Sequence, residues 1–428
     1  MDRSIWKKAL DAYRKGMLAH RITVHLRRLA YRRLGLAAFN RWRCRRVWSR
    51  IEPRKVVFSN FNGNGYGCNP KYVCDELLRR NGGYDIVWIV KRSLADSSFP
   101  AGVRLVPWGS RQALWELATA RVWVDNMRKN RFINVGLAKK PGQFYIQTFH
   151  GAIGIKTNGA DMIQPGQEKS SYAVGARLDA DMIDYLVSNS TYETNMYKSS
   201  FFGKGRTLLF GHPRNDVFFR DDAAAIRSRT LERLGLPDRV KYVLYAPTYR
   251  EDHRVDCYGV DYPALLAALH DRFDGEWRAL VRLHPSVRMV PELRPPAECA
   301  VDVCAYPDIQ ELLITVDAMV TDYSSCIFDF MLSGKPGFLF AVDLAEEIAE
   351  RGFYYPLDTT PFPIGRDNEE LCRNIRAFDA KAYAIEVKAF LAEKGCMEDG
   401  RASVRVADLI DRLLSNAGCD AAPPASCP

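Results

Sequence analysis

The chain alternates between two hydrophobic patterns. Short runs of β-branched and aromatic residues are followed by stretches in which apolar positions recur every three or four residues. The segments "KVVFSN" (55–60), "YDIVWIV" (84–90), "VRLVPWG" (103–109), "RVWVDN" (121–126) and "QFYIQTFH" (143–150) read as strands. "KYVCDELLRR" (71–80) and "SRQALWELATA" (110–120) read as helices, the second capped by Ser110. The alternation resumes with "YLVSNS" (185–190), "RTLLFGHPRND" (206–216), "KYVLYAPTYR" (241–250), "ALVRLHP" (279–285), "VDVCAYP" (301–307), "AMVTDYSS" (318–325) and "PGFLFAVDL" (336–344). Strands interleaved with helices predict parallel sheets in an α/β protein. Two such series predict two doubly wound halves, 55–205 and 206–400, followed by a terminal helix and loose tail over 401–428.

Residues 1–54 follow another pattern. Trp6, Leu10, Tyr13 and Met17, then Ile22, Leu26, Leu29, Leu36 and Phe39, recur at helical spacing with Arg and Lys between them. The whole chain of 428 residues carries a net charge of +10, yet residues 1–55 alone hold 17 Lys/Arg against 3 Asp/Glu, and the remainder 44 against 48. The basic character therefore belongs to an amphipathic helical extension. Trp and Leu on one face among basic residues suit an anionic membrane surface, contacted by residues 1–50. The alternatives are packing on the protein's own body or an arm that binds a partner or nucleic acid; of these readings the membrane surface is preferred, and no nucleic-acid partner is expected. Neither a signal peptide nor an apolar stretch long enough to span a bilayer is read from the sequence. Eleven scattered cysteines without a CxxC point to a reducing, cytoplasmic setting.

In doubly wound sheets, ligands bind beyond the carboxyl ends of the strands. The polar residues just past predicted strand ends are therefore candidates: His150-Gly151, Arg214-Asn215, Thr248 and Arg250, His284, and Thr321 to Ser325. In "VTDYSSCIFDFMLSGKP" a strand ends at Thr321 and a helix starts after Ser324 and Ser325. A helix start with hydroxyls favours phosphate, although Ser324 as a plain N-cap explains the same residues. Arginine forks at 214 and 250 suit phosphate oxygens, or surface salt bridges. His150 and His284 each end an apolar strand, one in each half, and histidine exchanges protons near neutral pH; singly, either also reads as a structural residue. P-loop and GxSxG patterns are absent from the sequence, no DxD stands between apolar runs as a metal site for a nucleotide-sugar would need, and "FNGNGYG" has the wrong spacing for a dinucleotide fingerprint. We expect no cofactor and no protein-held metal.

"FHG" with "IKTNGAD", then "GHPRNDVFF", "VLYAPTYR", "VRLHP" and "ELLITVDAMVTDYSSCIFDFMLSGKP", stand in an order that resembles the CDP-glycerol glycerophosphotransferase family, the teichoic-acid primases and polymerases. "NPKYVCDEL" (69–77) and "RGFYYPLD" (351–358) extend the resemblance to roughly residues 56–390. It implies a GT-B fold, two Rossmann-like domains facing a cleft. It implies transfer of a polyol phosphate, glycerol phosphate as first choice, from a CDP-polyol to a hydroxyl of a lipid-linked saccharide or polymer acceptor. CMP is released, in teichoic-acid or capsule-type synthesis at the cytoplasmic face of the membrane. His150 and His284 fall on the family's two essential histidines. Arg214, Asn215, Thr248, Arg250, Thr321, Asp322, Ser324 and Ser325 fall on its donor and phosphate shell, with Gly151, Lys156 and Asp161 supporting. "HGAIGIKTNG" departs from the family's usual Thr-Pro after the glycine, His212 replaces a more apolar residue, and "TPFPIGR" (360–366) replaces a Pro-Gly-Pro. The polyol is therefore open between glycerol, ribitol and others. A GT-B glycosyltransferase using a nucleotide-sugar and a non-catalytic membrane-surface scaffold are the competing readings.

Overall fold

The computed structural model describes residues 35–48, 50–94, 98–248, 250, 256–283 and 295–415. Two parallel sheets organise them. The first has seven strands: β1 (Glu52–Ser59), β2 (Asp85–Val90), β3 (Val103–Pro107), β4 (Ala120–Asp125), β5 (Phe144–Gln147), β6 (Tyr185–Ser188) and β7 (Arg206–Leu209), in the order β3-β2-β1-β4-β5-β6-β7. The second has six: β8 (Lys241–Tyr245), β9 (Trp277–Val281), β10 (Ala300–Asp302), β11 (Ala318–Thr321), β12 (Gly337–Phe340) and β13 (Ile364–Gly365), ordered β10-β9-β8-β11-β12-β13. Each sheet starts at its centre, winds outward, then returns to wind the other way. Each therefore has one switch point, at β1/β4 and β8/β11, where a crevice opens at the strand ends.

The strands form because they are apolar on both faces. β2 buries Ile86 to Val90 without interruption, and β8 buries Tyr242 to Tyr245. Helices cover both sides, as a parallel sheet requires. Ser110 caps the helix Arg111–Thr119 as its sequence predicts, accepting from the Ala113 amide at 3.0 Å.

The domain boundary differs from the one read at 205/206. Arg206–Leu209 pairs with β6 in the first sheet, so the crossing falls beyond residue 209. The turn signal at Gly211-His212-Pro213, not the start of the apolar run, marks the transition. The terminal helix Ala402–Ser415 also crosses back: Val406, Ile410 and Leu413 join Val56, Val122 and Ile146 in the core of the first domain.

Of the basic extension, only its last part is described; the periodic positions from Trp6 to Leu29 lie outside the described residues. Helix Leu36–Trp42 continues into a π-turn, Arg43–Val47. It leans on Gly136, where a Cβ would stand 2.2 Å from the Ala37 carbonyl, and buries Cys44. Phe39 and Trp42 remain 51% and 53% exposed beside Arg41, Arg45 and Arg46.

Candidate active site

His150 is delivered by a bend at the end of β5. Phe149 has φ 49°, the left-handed region that a non-glycine residue enters at a cost. The Gln147 side chain holds the bend by accepting from the Phe149 amide at 2.9 Å. His150 Nδ1 lies 2.8 Å from the carbonyl oxygen of Asn126, the first residue past β4. A carbonyl only accepts, so Nδ1 carries the proton and the lone pair sits on Nε2. The half-buried ring lies between Phe61 and Phe149, with centroids at 5.1 and 4.5 Å. Burial pushes the imidazole pKa down to about 4; the Asn126 bond resists, and Arg214 and Arg128 add to the fall. His150 is thus neutral at physiological pH.

The chain after His150 leaves its own domain. Ala152, Ile153 and Ile155 are buried in the core of the second domain. At Gly154 a Cβ would sit 2.9 Å from the Ala152 carbonyl and 3.6 Å from Ser325 Cβ, so the loop passes close over Ser325. Residues 351–355 clasp it from the other side: the Thr157 amide donates to the Gly352 carbonyl at 3.1 Å and Lys156 forms an antiparallel bridge with Phe353. Lys156 Nζ lies 3.5 Å from Glu347; burial pushes its pKa down, against Asp322 and Glu347. Asp161 accepts from Tyr354 at 2.6 Å and Ser199 at 2.9 Å, and so serves the clasp.

Arg214, buried in the 3-10 segment Pro213–Phe219, reaches this loop. It donates to the His150 carbonyl at 2.8 Å and the Gly151 carbonyl at 3.0 Å, and to Asp329 through Nε and Nη2 at 2.8 and 3.2 Å. Asn215 donates to Asp329 and Glu398, both at 2.9 Å. At the second switch point, Arg250 forks onto Asp343 at 2.7 and 2.9 Å and meets Asp322 at 2.8 Å. Asp322 also accepts from the Thr248 amide and hydroxyl at 2.9 and 2.7 Å. Thr321 donates to the Ala246 carbonyl at 2.7 Å. The sequence reading offers both arginine forks to phosphate; in the fold both are occupied by carboxylates, which neutralise cations that the interior would otherwise leave unpaired.

Ser324 and Ser325 stay partly exposed. Ser324 Oγ is 3.1 Å from Cys326 Sγ, and Ser325 precedes the helix Cys326–Phe330 without capping it through its side chain. His284 lies outside the described residues.

A family model for CDP-Glycerol:Poly(glycerophosphate) glycerophosphotransferase matches residues 42–412. The chain belongs to this family. It is 31% identical over 368 residues to a teichoic acid glycerol-phosphate transferase of Staphylococcus aureus, covering 83% of this chain and 92% of that one. It is 29% identical over 373 residues to a teichoic acid poly(glycerol phosphate) polymerase of Staphylococcus epidermidis, covering 85% of this chain and 51% of the relative. The chain thus spans about half the length of that polymerase. Among solved structures it resembles the wall teichoic acid polymerase TagF, including a histidine-to-asparagine variant soaked with CDPG. The TM-score is 0.77 at 27% identity, over 93% of this chain and 98% of that one. The two winding domains are those of a GT-B type fold.

Several residues that build this site escape the sequence reading. Asn126 sets the His150 tautomer, Asp329 and Asp343 hold the two arginines, and Glu398 closes the network behind Asn215. Asp329 stands in the quoted "SSCIFDF" run, where its fixed distance from the serines is the one available signal. Asn126 follows a strand just as His150 does. Asp343 and Glu398 have no local signature, because their partners are 93 and 183 residues away.

Proposed function

We propose that the chain transfers glycerol phosphate from CDP-glycerol to a hydroxyl of a lipid-linked or polymeric teichoic-acid acceptor, releasing CMP. The observation that carries this reading is the His150 geometry: a neutral imidazole with its lone pair on Nε2, on a loop that passes from the first domain over Ser325 of the second. Family membership and the names of the relatives supply the donor and acceptor classes. Nε2 takes the proton of the acceptor hydroxyl, and that oxygen attacks the phosphorus bearing the glycerol. The bond to the CMP oxygen breaks and CMP leaves. Ser324 and Ser325 lie on the donor side. His284 stabilises the leaving phosphate, an assignment resting on sequence alone. Arg214, Asn215, Thr248, Thr321, Asp322 and Arg250 act mainly by positioning, with Gly151 leaving room for the Phe149 ring, which would stand 3.0 Å from a Cβ there. Lys156 and Asp161 secure the loop.

Purified protein given a panel of CDP-polyols with a membrane lipid extract should release CMP from CDP-glycerol, and His150→Ala should abolish it. UDP release from a UDP-sugar, without CMP from any CDP-polyol, would instead support a glycosyltransferase.

Membrane contact belongs to the same reading. The exposed Phe39 and Trp42, their rings stacked at 5.8 Å, stand among exposed arginines, and this composition suits the headgroup region of an anionic bilayer at the cytoplasmic face. No helix among the described residues is long and apolar enough to cross a membrane. Co-sedimentation with anionic vesicles, weakened by Phe39→Ser with Trp42→Ser and absent with neutral vesicles, tests it.

A further inference from the structure

One arginine at the cleft is treated differently from the other two. Arg282 follows β9 directly, and its amide continues the ladder by donating to the Tyr245 carbonyl at 2.9 Å. It therefore stands at the carboxyl end of the second sheet, beside the switch point. Its Nη1 donates to the carbonyls of Val303 and Tyr306, at 3.3 and 2.5 Å. No carboxylate lies within salt-bridge distance of it among the described residues. Asp308, a carboxylate that acts on it, is committed to Lys71 at 2.6 Å and Tyr72 at 3.0 Å. Burial pulls the guanidinium pKa down, and Cys304, Asp308 and Cys326 offset this only in part. For Arg214 and Arg250 burial pulls the same way, but Asp329 in one case and Asp343 with Asp322 in the other lift the pKa above its ordinary value.

A half-buried guanidinium without a counter-charge is costly unless an anion completes it. The position fits such an anion. Val281, the residue before Arg282, pairs with Tyr245 at the end of β8, and β8 pairs with β11, whose carboxyl end leads into Ser324 and Ser325. The carbonyls that grip Nη1 fix one edge of the fork and leave Nε and Nη2 to donate elsewhere.

We propose that Arg282 is the cation that binds the diphosphate of the nucleotide donor. The inference rests on the reading of the site as a CDP-glycerol site, and it moves the phosphate-binding arginine from the two positions that sequence favours to a third. Arg214 and Arg250 are occupied in holding the loops; Arg282 supplies the charge.

The test compares CDP with cytidine by calorimetric titration on the full chain, for wild type, Arg282→Gln and Arg282→Lys, with CMP release from CDP-glycerol measured in parallel. Arg282→Gln should weaken CDP binding by about 10- to 100-fold and leave cytidine binding unchanged, since a charge-assisted bond to phosphate is lost and the nucleoside contacts remain. Arg282→Lys should recover part of the CDP affinity. Equal losses for CDP and cytidine in both variants, or none in either, would overturn the inference and leave Arg282 a prop for the 303–306 loop. Where Gln at this position prevents folding, the Lys variant carries the same comparison. Wild-type protein that releases no CMP from CDP-glycerol yet binds another nucleoside diphosphate would sink the donor assignment. The same comparison, made with that diphosphate and its nucleoside, still decides Arg282.

Discussion

Arg214 and Asp329 form a buried fork, 2.8 Å at Nε and 3.2 Å at Nη2, and the same guanidinium carries the backbone of His150 and Gly151. The ion pair is therefore a mount for His150, the proposed base. Asp329→Ala leaves a buried cation unpaired and should cost about 3–5 kcal/mol of stability. Asp329→Asn and Arg214→Lys keep the volume but not the fork, and a shift of about 1 Å at a catalytic group costs on the order of 100-fold. Both variants should lower kcat by about that factor with little change in KM, measured by CMP release beside a thermal melt. Unchanged kcat in folded protein would show that the fork does not position His150.

The acid limb of activity should lie low. With His150 held neutral down to about pH 4, kcat/KM should stay flat from pH 6.5 to 5, where an ordinary histidine titrates, and fall near 4. Stability has the same sign. The unfolded imidazole binds protons between 6.5 and 4 that the folded one refuses, so stability falls as pH drops through that window. A limb near 6.5, lost in His150→Ala, would mean that the imidazole is solvated in the working enzyme.

Ile155 is rooted in the second domain while His150 hangs from the first. Ile155→Ala should destabilise by about 2–5 kcal/mol and also lower kcat, because the loop loses one of its two anchors. Leu265→Ala, equally buried in the same core but on the helix Tyr262–Phe273, should cost comparable stability and leave kcat unaltered. Equal kcat in the two variants argues against a second anchor.

Glu398 lies behind Asn215, and burial raises its pKa to about 7 despite bonds from Asn215 and Asn189 and the proximity of His212. Between pH 4.5 and 7 the folded state holds the proton more often than the unfolded one, so this group makes stability fall as pH rises through that window. Glu398→Gln should raise Tm at pH 8 and flatten the slope between pH 5 and 8. A lower Tm at pH 8 than at pH 5 for the variant relative to wild type would mean that the ionised carboxylate is net stabilising.

The strand runs and the residues after them were readable because a parallel strand buried on both faces is apolar throughout, and its end is where polarity returns. His150 and the 248–250 and 321–325 clusters are visible on that ground alone. The partners were not. Asn126, Asp329, Asp343 and Glu398 gain meaning only from contacts across the fold, and a one-dimensional pattern carries no trace of which arginine finds a carboxylate. Thus Arg214 and Arg250 stand out in sequence by the prolines near them, and Arg282, inside an apolar run, does not. The boundary at 205/206 missed for a related reason: β7 looks like any opening strand, and only its pairing with β6 assigns it to the first sheet.

The helix Ala402–Ser415 has a consequence for biosynthesis. It fills the core of a domain whose first strand starts at Glu52, so that core is joined by contacts about 350 residues apart in the chain. Loop closure over such a distance is slow, and an emerging chain ordinarily folds its first domain before the second is made. Here the first domain leaves the ribosome with the seat of its last helix open, and its apolar face stays exposed until nearly all of the described chain has been synthesised. The two halves therefore complete their folding together, and the interval before they do is when the chain is most exposed to aggregation.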